Sequence, residues 1–217
     1  VKGDHCGGFC HTRGLSVVIA EGALNRMVND YRRHGKSKTA LAGAGTIIVH
    51  EQIHVLQRCF PRKFSGLYTG AYGFIDGRVE QDEWVARNEI QNPDGLEGNR
   101  WVVDYEGNHY WLKTILDEKD DPARMPASFR EAIMPLQKTG KTYRVIWKKG
   151  EKKPEVVDPN LMRDWKKQFP IRAGHDHPNE IFAYLFQAEL TRKIMEEEPS
   201  DDMMTKKTME WARKELR

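Results

Sequence analysis

The chain has 217 residues, and its 35 Lys and Arg against 32 Asp and Glu leave a formal charge of +3. That length suits one large domain or two small ones and is enough to bury a core. The near balance of charge gives no case for a nucleic-acid partner, and no apolar run is long enough to span a membrane. The sequence starts at Val1 rather than at a methionine, so an upstream segment is expected to have been removed, by processing or by the choice of segment expressed; a lost signal peptide is consistent with that, but the sequence does not show one.

The first residues hold the cluster His5-Cys6-Gly7-Gly8-Phe9-Cys10-His11. Cys6 and Cys10 are close enough for a small disulfide loop; reduced thiols or a metal site are the alternatives. The run is similar to a haem-attachment sequence, but three residues rather than two separate its cysteines. The third cysteine, Cys59, reads as a buried thiol packed like a small apolar residue. The β-branched run Leu15 to Ala20 predicts a strand. Glu21 to His34 predicts a helix with Leu24, Met27, Val28 and Tyr31 on one face and Gly35 as its stop.

Ser37 is the expected N-cap of the next helix, which runs to about Phe60 before Pro61. It carries His50-Glu51-Gln52-Ile53-His54 among Ile47, Ile48, Val49, Val55 and Leu56. Residues i and i+4 of a helix stack on one face, so both imidazoles can turn to one cation, with Glu51 beside them as a base. The apolar flanks predict a helix buried on most sides.

Arg62 to Val79, rich in Gly and aromatics, is expected to form loops. Glu80 to Ile90 suggests a short helix around Trp84, and Asn92-Pro93-Asp94-Gly95 a turn. Trp101 to Tyr105 and His109 to Leu116 predict a β-hairpin. Asp117 to Pro126 reads as an acidic loop, Lys141 to Trp147 as a strand, and Lys148 to Lys153 as a solvated basic turn. Leu161 to Phe169 is a helix candidate. Asp176 is the expected cap of a helix with Pro178 in its first turn, running to about Glu197. A last helix, capped by Ser200 or Asp201, carries Met204, Met209, Trp211 and Leu216. No repeat, linker or domain boundary stands out, so 1–217 is expected to be one domain, with a β-containing insertion over 91–150.

The motif His50-Glu51-x-x-His54 resembles that of the zincin metallopeptidases. The extended form of the metzincins requires Gly and His where this chain has Gln57 and Phe60, so that subfamily does not apply. Asn179-Glu180, followed by Ile181-Phe182-Ala183, resembles the second signature of the gluzincins, which take their third zinc ligand from a glutamate on a later helix. The resemblance covers about a dozen residues. It implies a zincin-like α+β fold, zinc as cofactor and a ligand set of His50, His54 and Glu180.

The spacing departs from the family, because Glu180 lies 126 residues after His54. His175 and His177 are the rival ligands. The resemblance implies that Glu51 is the general base, and that a Tyr or His stabilises the oxyanion. Tyr184, one turn after Glu180, and His177 are the candidates, with Tyr72 and His109 behind them. The expected activity is zinc-dependent hydrolysis of peptide bonds in an exported protein that needs a peptide or protein substrate. A zinc amidase acting on a non-protein amide is one alternative. The other is a catalytically silent binding module, whose cation would take a fourth ligand from His175 or His177.

Overall fold

The computed structural model describes residues 10–95, 97–116 and 129–216. Cys6, and with it the proposed Cys6–Cys10 disulfide, and the 117–126 loop lie outside those residues. The chain mixes helices and sheets, an α+β architecture.

The expected strand over Leu15 to Ala20 is instead a two-stranded hairpin, β1 (His11–Arg13) and β2 (Ser16–Val18). Gly14 turns it at φ +58°, a conformation that favours glycine. Helix α1 (Glu21–His34) forms where its spacing predicts, but the predicted face is not buried. Ala23 is its only buried residue, while Leu24, Val28 and Tyr31 are 46%, 37% and 55% exposed.

Ser37 caps the next helix, its hydroxyl accepting from the Ala40 amide at 3.3 Å. Helix α2 (Lys38–Ala40) passes through a π-helical turn (Leu41–Gly45) into α3 (Thr46–Cys59). Only the face of α3 carrying Thr46, His50, Ile53, His54 and Gln57, together with Glu51, is buried. Ile47 and Ile48 are more than a third exposed, so the helix is not enclosed on most sides. Cys59 is exposed rather than buried.

Arg62 to Val79, expected as loops, holds α4 (Pro61–Gly70) and the strands β3 (Phe74–Asp76) and β4 (Arg78–Val79). Pro61 starts α4 in the first turn, where its missing N–H costs nothing, and Phe64, Leu67 and Tyr68 bury one stripe. Asp82 caps the short α5 (Glu83–Asn88). The hairpin β5 (Trp101–Tyr105) and β6 (Asn108–Leu116) turns through Glu106 and Gly107, both at positive φ, as a two-residue primed turn demands. Strand β7 (Phe129–Thr139), which no sequence pattern indicated, lies between β6 and β8 (Thr142–Val145).

The six strands run β3-β5-β6-β7-β8-β4, all neighbours antiparallel except β4 with β8. The sheet therefore reaches outside 91–150, taking in β3 and β4. Alternate residues divide its faces. Trp101, Val103, Tyr110, Leu112 and Ile133 pack with residues of α3, α4 and the later helices, and Val102, Trp111, Met134, Leu136 and Tyr143 form a second core with Val79 and Val85.

Leu161 to Phe169 splits into a 3-10 turn (Pro159–Met162) and α6 (Arg163–Lys167). The expected cap Asp176 is one residue early. His177 caps α7 (Pro178–Met195), its Nδ1 accepting from the Asn179 amide at 3.1 Å. Similarly Asp202, rather than Ser200 or Asp201, caps α8 (Met203–Glu215). Helices α3 and α7 pack directly against each other.

Candidate metal centre

The α3–α7 contact brings together residues 126 positions apart. His50 Nε2 lies 3.4 Å from Glu180 Oε2, and His54 Nε2 lies 3.4 Å from Glu180 Oε1. All three side chains are buried, and their ligating atoms lie within 4.8 Å of one another, a group that could hold a metal ion. On α3 the two histidines are one turn apart. On α7 Glu180, Tyr184 and Gln187 follow at i, i+4 and i+7, one face of a helix.

Hydrogen bonds decide which imidazole nitrogen is available. Gln57 Nε2 donates to the Tyr68 hydroxyl at 3.0 Å and to the Asn179 carbonyl at 3.0 Å. The amide of Gln57 is thereby oriented, and its Oε1 faces His54 Nδ1 at 2.7 Å as an acceptor. His54 therefore carries its proton on Nδ1 and keeps a bare lone pair on Nε2. Gln187 Oε1 likewise faces His50 Nδ1 as an acceptor at 2.9 Å, leaving His50 Nε2 turned toward Glu180. Tyr68 passes the order on, donating to Asn179 Oδ1 at 2.8 Å, and Asn179 Nδ2 donates to the Asp94 carbonyl at 3.1 Å. Holding the second imidazole nitrogen in this way is how proteins prepare a metal-ligating histidine.

Glu180 is held on its other flank by Asn92 Nδ2, which donates to Oε1 at 2.7 Å. Gly174, at φ +84°, lies against it so closely that an added Cβ would come within 2.8 Å of Glu180 Cβ and 2.9 Å of the Tyr184 ring. His54 Nε2 and Glu51 Oε2 are both buried with no hydrogen-bond partner. Orphaned polar atoms of this kind are costly unless a ligand satisfies them. The donor set, the tautomers and the orphaned atoms all fit a divalent cation.

Charge is distributed unevenly over the site. Burial would raise the Glu180 pKa, but the His50 hydrogen bond and the charges of His54 and His50, with Asn92, pull it down to about 2. Burial disfavours a charged His50, yet Glu180, Glu51 and Gln187 together hold its pKa above the usual value. His54 is pushed down, chiefly by burial. Glu51 is pushed up to about 7 by burial, then by Asp94 and Glu180, against the opposing His50 and Arg58.

Tyr184 packs its ring edge-on to His50, centroids 4.7 Å apart, and is 37% exposed. Burial and the carboxylates Glu180, Glu51 and Asp176 push its pKa up to about 12, so the hydroxyl keeps its proton. His177 is engaged as the α7 cap. His175 packs among Trp165 and Phe169 and is not part of the ligating group. Tyr72 is buried against Phe169, its hydroxyl bonded to Thr208, and His109 stacks on Tyr143 across the sheet. Beside the centre lies a cavity of about 560 Å³, lined by Asn92, Gly95, Trp111, Lys113, Asp176 and His177 among others.

Gln57, Gln187, Asn92 and Asp94 are site residues that the sequence did not single out as such. The two glutamines had a signal, since each lies at helical spacing from a candidate ligand. Asn92 and Asp94 sit in a stretch that reads as a turn, and they do form one: Asn92 Oδ1 accepts from the Asp94 amide at 2.9 Å. Nothing local shows that the turn lies against α3 and α7.

Comparison of the chain with protein-family models, with curated proteins and with solved structures finds no match in any of the three. The chain's own geometry is thus the basis for any reading of its function.

Proposed function

We propose that the chain is a zinc-dependent hydrolase of peptide bonds, built on the gluzincin plan and acting on peptide or protein substrates. The observation that carries the reading is the convergence of two imidazole Nε2 atoms, that of His54 without a hydrogen-bond partner, on one buried carboxylate, with an orphaned glutamate oxygen on Glu51 one residue along the helix from His50. His50, His54 and Glu180 would hold the zinc. Bound there, zinc supplies Lewis-acid polarisation of a carbonyl and lowers the pKa of a water toward neutrality.

The remaining work falls to the chain's own residues. Glu51, with a pKa near 7, is matched to accept a proton from the attacking water and return it to the leaving amine. Tyr184 keeps its proton and stands beside His50, partly exposed, so it is the donor we assign to the developing oxyanion. Gln57, Gln187 and Asn92 orient the ligands. Asn92, which donates to Glu180, also lines the neighbouring cavity.

The test is digestion of a peptide library by the zinc-loaded chain and by its Glu51→Gln variant. Cleavage by the wild type that falls by several orders of magnitude in the variant, with zinc retained, supports the reading. Clear zinc binding without cleavage of any peptide would overturn it and favour a non-protein amide as substrate.

A further inference from the structure

A second set of buried ligating groups lies against the first: Glu51, His54 and Asp94 also bring one atom each within 4.8 Å of the others. All three side chains are all but inaccessible, Glu51 at 5%, His54 at 1% and Asp94 at 4% exposure. Glu51 and His54 also carry the two orphaned atoms of the site, Glu51 Oε2 and His54 Nε2. Asp94 is firmly anchored. Its Oδ1 accepts from the Thr12 amide at 2.9 Å and from the Thr12 hydroxyl, and Arg58 Nη2 lies 3.4 Å away. Its carbonyl accepts from Asn179.

His54 belongs to both sets, and its single free nitrogen can bind only one ion. Charge gives the same limit. Ionised Glu51, Asp94 and Glu180 with Arg58 leave two net negative charges, which one divalent cation cancels. A second would leave an uncompensated positive pair in a buried site.

We propose that a single divalent cation has two alternative positions that share His54, and that the character of the ion selects between them. The inference rests on the proposed zinc position for the first of these. Two imidazoles and one carboxylate suit zinc, whereas the one imidazole and two carboxylates of Glu51, His54 and Asp94 suit a harder ion such as manganese. A cation in the second position takes Glu51 as a ligand and so removes it as a base. The chain is then active with zinc and silent with manganese, although both bind.

The experiment measures zinc and manganese affinities by chelator competition for the wild type, His50→Ala, Asp94→Asn and His54→Ala. It also locates each ion in wild-type crystals by anomalous diffraction. His50→Ala is expected to weaken zinc by about a hundredfold or more, beyond what loss of a mere supporting group costs, and manganese by less than about threefold. Asp94→Asn reverses the pattern, and His54→Ala weakens both. The anomalous manganese peak falls among Glu51, His54 and Asp94.

Both metals responding alike to His50→Ala and Asp94→Asn would overturn the proposal. So would a manganese peak among His50, His54 and Glu180, a result that needs no variant to fold. Neither readout requires turnover, so absent hydrolysis would count against the proposed activity and not against the two positions.

Discussion

Gln57 sets which nitrogen of His54 faces the ligand site, through an amide oriented by Tyr68 and Asn179. Replacing it with Ala leaves the imidazole free to rotate and to exchange tautomers. Gln57→Ala is expected to cost about ten- to a hundredfold in zinc affinity, the usual penalty for losing such a support, measured by chelator competition. Gln57→Glu is the sharper case. Its carboxylate still accepts from Nδ1, so most of the affinity should remain even though the bonds to Tyr68 and Asn179 are lost. Asn92→Ala removes the donor to Glu180 Oε1 and is expected to fall in the same range, although it lies in a surface turn.

At the scale of elements, the centre depends on how α7 begins. His177 caps it, Pro178 fixes its first turn, and Gly174 lets the chain pass beside Glu180 at positive φ. Gly174→Ala strains the backbone and drives a Cβ into Glu180 and Tyr184. It should cost about 1 to 3 kcal/mol in denaturant unfolding and weaken zinc binding as well.

The two helices that carry the ligands were legible in the sequence, because apolar spacing, the i, i+4 histidines and the Pro178 start are local signals. Strand β7 was not. It carries Arg130, Glu131 and Lys138, with Pro135 in its middle, and becomes a strand only because β6 and β8 flank it. Proline is tolerated there without an N–H, and its carbonyl still accepts from Ile146. Helix α4 was hidden by glycines that suggested loops, although its buried stripe of Phe64, Leu67 and Tyr68 has helical spacing. The reverse error occurs in α1, where an apolar stripe at good spacing stays exposed.

Over the whole molecule, the site couples stability to pH and to metal. His50 and Glu51 have folded-state pKa values raised above 6.5 and 4.5, Glu51 to about 7. Raised groups stabilise below the unfolded pKa and lose that contribution as pH rises through the folded value. The lowered His54 works the other way, but only up to about pH 6.5, its unfolded value. Without metal, thermal stability is therefore expected to fall as pH rises from about 6.5 through about 7. Zinc binds the deprotonated ligands, so the loaded chain should lose less over that interval, and a chelator should restore the steeper fall. Differential scanning calorimetry at several pH values checks both. Among the described residues no helix is long and apolar enough to cross a membrane.

The most direct test of the central claim is zinc content by elemental analysis of the purified wild type and of Glu180→Ala, with circular dichroism showing that both are folded. The account predicts one zinc per wild-type chain and loss of most of it in the variant. A wild type that takes up no zinc after loading, or a folded Glu180→Ala variant that keeps its full complement, would contradict it.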